Sequence, residues 1–140
     1  MFGFFEKKEA HVDEVKAPAF VEWKGWRKFK VMNRKHECVD TTTFTLMPAD
    51  EQPLPAFRAG QGVALRLEGF EPRAYTLCST PDEGCYRITI KVLDNDRGAL
   101  SAQIAQCLHV GDEIEVSEPA GGFVLDDRET PVVMIAEGIG

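Results

Sequence analysis

The sequence predicts a mainly β fold, a six-stranded antiparallel Greek-key β-barrel with one short capping helix, followed by the first strand of a further α/β domain. Six short segments alternate polar and apolar residues between turn signals, the pattern of half-buried strands in a closed barrel. A seventh segment carries apolar residues at four-residue steps and predicts an amphipathic helix. Near the end, an apolar run without alternation is typical of a strand buried on both faces, as in a parallel sheet.

Length and composition restrict the class of protein. A chain of 140 residues with 44% hydrophobic and 28% charged residues suits one globular domain with a sizeable core. The net charge of −7 argues against a nucleic-acid binder and against binding to acidic membranes, because both need a basic surface. No apolar run approaches the ~20 residues of a membrane helix, and the N-terminus lacks the layout of a signal peptide. We therefore expect a cytoplasmic protein.

The chain divides into three parts. Residues 1–22 mix charges, small residues and a proline, which is typical of a leader or linker. Trp23 and Trp26 follow, and we expect them to anchor a domain that spans residues 23–130. Residues 131–140 differ in character and form the predicted start of a second domain.

The barrel strands are assigned from alternation, taken in chain order. Every second residue of a strand is expected to face the core, as Phe44 and Leu46 do in the second strand. Turn residues separate the strands, and Pro81-Asp82-Glu83-Gly84 is the clearest turn signal. The helix is predicted over Ala99 to Leu108. The predicted strands are Lys28 to Met32, Thr41 to Met47, Val63 to Glu68, Arg73 to Cys78, Tyr86 to Leu93 and Glu113 to Ser117.

The fourth predicted strand carries residues that suit a ligand. Arg73 and Tyr75 lie on the same face because side chains alternate along a strand. A guanidinium pairs with a diphosphate, and a phenol ring packs against a planar ring system. The polar groups that follow, the hydroxyls of Thr76, Ser79 and Thr80 and the thiol of Cys78, are able to hydrogen-bond ring heteroatoms. These residue types suit a flavin nucleotide, and a purely structural strand is the alternative.

The cysteines and histidines give a weaker signal. Four cysteines are scattered without a C-x-x-C pair, which is ordinary in a reducing compartment, and no iron–sulfur spacing is present. We predict no metal site, because the remaining His and Cys spacing is not that of a common zinc motif. A zinc-binding module is kept as an alternative, and its ligands would be His36, Cys38, Cys107 and His109.

The last ten residues contain the apolar run Val132 to Ala136, followed by Glu137-Gly138-Ile139-Gly140. A buried strand that ends in Gly-x-Gly is how a nucleotide-binding α/β domain begins, so Gly138 and Gly140 are candidate nucleotide ligands. A last barrel strand or a ragged tail is the alternative. We expect the apolar run to pack back on the barrel or to drive dimerisation, because an uncovered apolar segment is sticky.

Short motifs from about Trp26 to Gly140 resemble, in order, the flavin-binding domain of the ferredoxin–NADP reductase superfamily, most of all the reductase part of flavohaemoglobins. Arg73-Ala74-Tyr75-Thr76 matches the superfamily's R-x-Y-[ST] motif, and Gly98-Ala99-Leu100-Ser101 matches the G-x-x-S that opens its capping helix. Each motif is common alone, but their order is specific. The other similar segments are Gly25 to Val31, Phe57 to Gln61 (F-x-P-G-Q), Ile88 to Lys91, Val110 to Asp112 (V-G-D), Pro119 to Phe123 (P-x-G-x-F) and Glu137 to Gly140 (G-G-I-G).

The resemblance implies roles for these residues. Arg73 would pair with the flavin's phosphate, Tyr75 would pack on the isoalloxazine or the ribityl chain, and Thr76 would hydrogen-bond the ring near the atom that accepts hydride. Gly98 to Ser101 would hold the diphosphate at a helix N-terminus, where backbone N–H groups favour anions. For Ser101 the alternative is a simple helix cap. The expected cofactor-binding residues, none of them catalytic, are Arg73, Ala74, Tyr75, Thr76, Ile90, Lys91, Gly98, Leu100 and Ser101.

Four positions depart from the family pattern. Ala59 replaces a proline, and Gly122 stands where an acidic residue is common. Gly62 stands where the family often has an aromatic residue that lines the flavin site, so we expect weaker flavin binding. Glu137 replaces a glycine of the nucleotide loop, where a carboxylate would repel a pyrophosphate.

The function implied by the resemblance is that of a flavin-binding domain, with FAD expected and FMN possible in its place, from an NAD(P)H-dependent oxidoreductase. In the complete system NAD(P)H would reduce the flavin, which would pass electrons to a haem, an iron–sulfur centre or a small acceptor. A flavin reductase or a ferric reductase fits equally well. We do not expect these residues alone to turn over NAD(P)H, because the NAD(P) domain is absent beyond its first strand. The alternative is a flavin-free barrel that serves as an interaction module or is a truncated remnant.

Overall fold

The computed structural model describes residues 23–93, 99–125 and 129–139. The predicted leader, residues 1–22, and two expected ligands, Gly98 and Gly140, lie outside the described residues. The described elements are the strands β1 (Trp26–Cys38), β2 (Thr41–Pro48), β3 (Gly62–Arg66), β4 (Arg73–Thr76), β5 (Tyr86–Lys91) and β6 (Glu113–Ser117), and the helix α1 (Leu100–Cys107) between β5 and β6.

The strands form one antiparallel sheet in the order β4-β3-β6-β1-β2-β5. The last strand, β6, lies in the middle of the sheet, between β3 and β1. The chain therefore crosses from the edge strand β5 to the centre of the sheet before β6 begins. The two outer strands meet through an antiparallel bridge between Leu77 and Ile88, and the N–H of Cys78 donates to the carbonyl of Arg87 over 2.8 Å. This contact joins the sheet edges and confirms the predicted six-stranded antiparallel barrel with one short helix.

The barrel interior is filled by the residues that the alternation placed inward. Phe29, Phe44 and Ile88 are completely buried, and α1 covers the core with Leu100 and Ile104. Burial of this apolar area is the main stabilising contribution in a domain of this size. The remaining core residues are Val31, Leu46, Phe57, Val63, Leu65, Leu77, Tyr86, Ile90, Leu108, Ile114 and Val116.

The first strand is longer than its predicted range of Lys28 to Met32. It continues to Cys38 because the register shifts between Val31 and Asn33, and again between His36 and Cys38. Each shift is a bulge or irregularity, which disturbs the alternation while the ladder with β2 is kept. Alternation alone therefore missed the polar second half of β1.

The segment Val132 to Ala136 does not form the expected strand. The structure assigns it no strand, and Val133 and Ile135 are 84% and 94% exposed. A strand buried on both faces needs neighbouring strands for its backbone and a covering layer for its side chains, and the described residues supply neither. The expectation that the run packs back on the barrel does not hold, and dimerisation stays a prediction.

The structure contains no membrane-crossing helix among the residues it describes, because none of its helices is long and apolar enough.

Candidate functional site

The strand β4 and the first turn of α1 bring three predicted residues together. Ser101 is 5% exposed, and its Oγ accepts a hydrogen bond from Nη1 of Arg73 over 3.1 Å. The hydroxyl of Tyr75 lies 2.9 Å from the same Oγ. One buried hydroxyl thus holds a guanidinium and a phenol on the same face of β4, which sequence alternation had predicted for Arg73 and Tyr75.

The position of Ser101 follows from the way α1 packs. Leu100 and Ile104 are buried in the barrel core, which fixes the rotation of the helix and turns Ser101 toward β4. The residue at the N-cap is Ala99, and its side chain makes no capping hydrogen bond. Ser101 is therefore not the N-cap of α1, and its described side-chain contacts are with Arg73 and Tyr75.

A groove of about 390 Å³ lies beside this cluster, between β3, β4 and the loop after β6. Small side chains make up most of its floor, so a flat group is able to approach the backbone. Ser117 supports the floor, because its Oγ accepts a hydrogen bond from the N–H of Ala64 over 2.8 Å. The groove is lined by Gly62, Val63, Ala64, Ala74, Tyr75, Thr76, Ser117, Ala120 and Gly121.

Close backbone contacts explain the glycines of this region. A Cβ at Gly62 would lie 2.6 Å from the carbonyl oxygen of Tyr75. Gly62 also exchanges two backbone hydrogen bonds, 2.9 and 2.8 Å long, with Ala120. Gly60, at a φ of +98°, would place a Cβ 2.0 Å from the carbonyl oxygen of Phe123. The sequence analysis treated Gly62 as a lost aromatic, whereas the structure gives it a packing role.

An ion pair joins β3 to β6 at the opposite end of β3. Arg66 of β3 and Glu115 of β6 are opposite each other in register, and two hydrogen bonds of 2.7 and 2.8 Å join their side chains. The guanidinium also lies over the ring of Trp26, 4.4 Å from its centroid. The hydrogen bonds from Arg66 hold the pKa of Glu115 below its usual range.

The other expected cofactor ligands do not belong to the cluster of Ser101, Arg73 and Tyr75. Ile90 faces the core, and Nζ of Lys91 lies 3.6 Å from a carboxylate oxygen of Asp40. Ala74 and Thr76 are exposed at the groove wall, and Leu100 lies on the buried side of α1. Their roles as cofactor contacts remain predictions.

The zinc-module alternative gains no support from the geometry. Nδ1 of His36 lies 3.3 Å from Oγ1 of Thr42, and Sγ of Cys38 donates to a carboxylate oxygen of Asp40. The part of the chain that the structure describes contains no group of three or more His, Cys, Asp or Glu side chains placed to hold a metal ion. Cys107 and His109 therefore do not complete a site with these residues.

The sequence analysis missed small residues whose contribution is a close approach of two loop backbones. Ala120 and Gly121 line the groove, and Gly60 packs against the backbone of Phe123; all three act through small size and carry no chemistry of their own. Their only signal was glycine and alanine in two loops, which does not show that the loops meet.

The fold and the cluster define a class of protein, an oxidoreductase flavin module. The family model of the oxidoreductase FAD-binding domain matches residues 28–125, and the chain belongs to this family. The family's description agrees with the flavin nucleotide expected from Arg73, Tyr75 and Thr76.

The chain is also similar to particular flavohemoproteins. It is 38% identical over 135 residues to a flavohemoprotein of Pseudomonas aeruginosa, covering 94% of this chain and 34% of that protein. Its fold is similar to the flavohem-like FAD/NAD binding domain of nitric oxide dioxygenase from Vibrio cholerae O1 biovar El Tor. That likeness has a TM-score of 0.70 and 30% identity, and covers 75% of this chain and 48% of that one.

A second solved structure extends the likeness beyond flavohemoproteins. Phthalate dioxygenase reductase, described as a modular structure for electron transfer from pyridine nucleotides to [2Fe-2S], matches with a TM-score of 0.68 and 31% identity. The match covers 74% of this chain and 32% of that one. The chain spans about a third of the length of the flavohemoproteins it matches.

Proposed function

We propose that this chain binds FAD on the face formed by β4 and the first turn of α1, as the flavin module of an NAD(P)H-dependent oxidoreductase. The observation that carries the proposal is the cluster in which buried Ser101 holds Arg73 and Tyr75. Membership of the oxidoreductase FAD-binding domain family supports the same cofactor.

The residues present fit a dinucleotide. Arg73 supplies a cation, and the first turn of α1 supplies backbone N–H groups that the side chain of the N-cap residue, Ala99, does not bind. Together they suit a diphosphate, because N–H donors and a guanidinium both favour phosphate oxygens. The adjoining groove has a floor of small residues and Tyr75 at its wall, which suits a flat ring system.

The proposed roles follow from these positions. Arg73 binds the phosphate, Tyr75 packs on the ring or the ribityl chain, and Thr76 hydrogen-bonds the ring from the groove wall. Ser101 fixes the other two side chains before the cofactor arrives, which lowers the entropy lost on binding. The other proposed contacts are the backbone of Ala74, Gly98 and Leu100, and the ends of β5 at Ile90 and Lys91.

The chain's own contribution to catalysis is binding and orientation. When bound, FAD supplies the chemistry that takes two electrons from a nicotinamide and releases them singly. The described site offers small residues, hydroxyls and a cation, and we assign no acid–base role to any of them. Tyr75 and the groove floor would orient the ring and keep water from one of its faces.

The complete protein would extend this module on the donor and acceptor sides. We propose residues 23–130 as the flavin domain and residues 131–140 as the start of an NAD(P)-binding unit. In that unit Gly138, which has a φ of +71°, and Gly140 would approach the nucleotide. The flavohemoprotein relatives favour a haem acceptor, and the reductase relative makes an iron–sulfur acceptor the second candidate. A cytoplasmic location stays a prediction.

A ligand series tests the proposal. FAD, FMN and riboflavin are titrated into the purified chain, and binding is followed by quenching of flavin fluorescence. We expect micromolar or tighter FAD binding and weaker binding of riboflavin, because riboflavin lacks the phosphates that Arg73 and α1 would hold. Equal binding of all three flavins would remove the diphosphate assignment. No binding of any would favour the flavin-free interaction module.

A further inference from the structure

A second groove, of about 900 Å³, lies between the second half of β1, the start of β2, the end of β5 and the last turn of α1. Among the described residues it shares no lining with the groove beside Tyr75. Of the proposed cofactor contacts that the structure describes, Lys91 alone belongs to its lining. The cluster of Ser101, Arg73 and Tyr75 therefore does not account for this groove. Its polar lining residues are Arg34, His36, Asp40, Thr42, Lys91 and Gln106.

Arg34 of β1 contributes a half-buried guanidinium to the groove. Its Nη2 donates to the carbonyl oxygen of Ala105 over 2.6 Å, which is the one described hydrogen bond of a group with five N–H donors. Ala105 lies in the last turn of α1, where carbonyl groups favour a cation but carry only partial charge. No carboxylate within the described residues forms an ion pair with Arg34. A partly buried charge without a counter-ion is costly, so an anion in the groove would be stabilised.

Lys91 and His36 add nitrogen groups from the neighbouring strands. In the β1–β2 ladder His36 is opposite Thr42, and in the β2–β5 ladder Thr41 is opposite Lys91. Adjacent strands lie about 4.8 Å apart, so the backbones at His36 and Lys91 are separated by roughly 10 Å. Nδ1 of His36 lies 3.3 Å from Oγ1 of Thr42, which leaves Nε2 as the ring nitrogen for a ligand. Nitrogen groups therefore border the groove on both its β1 and its β5 side.

Asp40 is the carboxylate of this lining. Its Oδ1 accepts hydrogen bonds from Oγ1 of Thr41 and Sγ of Cys38, over 2.8 and 3.1 Å, and these bonds hold the pKa of Asp40 below its usual range. Nζ of Lys91 lies 3.6 Å from Oδ2, which is longer than a charge-assisted hydrogen bond, so the ammonium is able to turn toward a ligand. The cations of Arg34 and Lys91 outnumber this carboxylate, in a chain whose net charge is −7. This contrast favours an anionic ligand.

Apolar side chains form another part of the lining. Val39 and Leu93 are exposed and face the groove together with its cations. An anion that also carries a less polar, planar group matches this combination, as a nucleotide does. Ser101 and Ala105 are four residues apart on α1, which is about 6 Å along the helix axis. The groove thus lies about one helical turn from the position proposed for the diphosphate of FAD.

We propose that this groove is a second anion site, which binds the phosphate of an adenine nucleotide through Arg34, His36 and Lys91. Val39 and Leu93 contact the sugar and the base. The nucleotide is either the adenylate half of FAD, whose diphosphate lies at the first turn of α1, or a free molecule such as AMP. The first source rests on the proposed function, and the second does not depend on it.

AMP is the probe, and its binding to the purified chain is measured by isothermal titration calorimetry. The chain is titrated without flavin, saturated with FMN and saturated with FAD. The test variants are Arg34→Gln and Lys91→Gln, and Arg73→Ala reports AMP bound at the proposed diphosphate position. Lys35→Gln is the matched control, because this lysine is next to Arg34 in sequence but pairs with Glu37 over 2.7 Å, outside the groove. Adenosine, which lacks the phosphate, is the control ligand.

We expect AMP affinity to fall about tenfold in Arg34→Gln and in Lys91→Gln, because each loses a charge-assisted contact, and to stay unchanged in Lys35→Gln. Adenosine should bind about tenfold more weakly than AMP for the same reason. Loss of AMP binding in the FAD-saturated chain but not in the FMN-saturated chain would identify the adenylate half of FAD as the ligand. Equal AMP binding in all three states would identify a free nucleotide.

The inference is overturned if the wild type binds no AMP, if the Arg34 and Lys91 variants bind AMP like the wild type, or if FMN displaces it. Binding that is lost only in Arg73→Ala would also overturn it, because AMP would then occupy the diphosphate position. If Arg34→Gln does not fold by circular dichroism, Lys91→Gln decides, since that side chain is exposed. A wild type that binds no flavin would contradict the proposed function alone, and the flavin-free titrations would still decide the inference.

Discussion

At the scale of single residues, Ser101 is the centre of the proposed site. Its buried Oγ accepts from Arg73 and lies within hydrogen-bond distance of Tyr75, so it orients both side chains that we assign to the flavin. A preorganised cluster loses less entropy when the ligand binds than a set of mobile side chains does. The serine thus acts through its neighbours as much as through its own contact.

The substitution Ser101→Ala tests this positioning role. We expect FAD affinity to fall about tenfold, because one net hydrogen bond contributes about 1 kcal/mol and the orientation of Arg73 is lost with it. Fluorescence titration measures the change. Thr43→Ala is the control, since it removes a 2.9 Å hydroxyl contact with Thr89 on another part of the barrel. An unchanged affinity in the Ser101 variant would contradict the role.

Gly62 offers a second test at this scale. We expect Gly62→Ala to lower the free energy of unfolding by about 1–3 kcal/mol, because its Cβ would crowd the carbonyl oxygen of Tyr75 and push β3 from β4. Urea unfolding measures the loss. Gly122→Ala is the matched control, because a Cβ there would meet no atom within 4 Å. Similar stabilities of the two variants would show that the close contact is not limiting.

At the scale of the elements, β3 and β6 carry the floor of the groove, and Arg66 and Glu115 join them across the sheet. The folded-state pKa of Glu115 is lowered, so the ion pair stabilises the fold above the unfolded pKa of a glutamate. This contribution is lost as the pH falls through the folded-state pKa. Exposure and salt screening keep the contribution small.

A pH series checks this ion pair. The free energy of unfolding of the wild type should decrease as the pH falls from about 5 to 3, where carboxylates with lowered pKa become protonated. Glu115→Gln should show a smaller decrease over the same window, since it has one such carboxylate fewer. Chemical denaturation at each pH gives both curves. Parallel curves for the two proteins would mean that the pair does not contribute.

The elements also show what the sequence determines. Alternation located β2, β3, β5 and β6 and their inward residues, because half-buried strands must alternate. It missed the second half of β1, where the bulge after Val31 shifts the register, and it did not show that Gly62 meets Ala120. Contacts between distant loops form only when the barrel closes. In the sequence they are marked only by a glycine or an alanine, which does not show which loops meet.

At the scale of the whole molecule, the exposed run around Val133 and Ile135 is the part least suited to an isolated domain. Its composition predicted a buried strand, but the structure assigns it no strand, and burial needs partners that the described residues lack. Exposed apolar segments of this kind promote association between chains. The same surface would be available to a further domain.

Self-association is therefore expected for the isolated chain. Light scattering after size exclusion should give a mass that rises with concentration, and Ile135→Asp should shift it toward the monomer, because a carboxylate in an apolar contact is costly to bury. Glu137→Gln is a control that changes charge near the run without adding to its polarity. A strictly monomeric wild type at all concentrations would contradict the expectation.

The central claim is that Arg73 on β4 holds the phosphate end of FAD. The most direct test is an FAD titration of the wild type, Arg73→Ala and the control Lys28→Ala, whose lysine lies on the exposed side of β1. We predict micromolar or tighter binding in the wild type and control, and a loss of about 10- to 100-fold in Arg73→Ala, the range for a charge-assisted phosphate contact. Equal binding by all three proteins, or none by the wild type, would contradict the account.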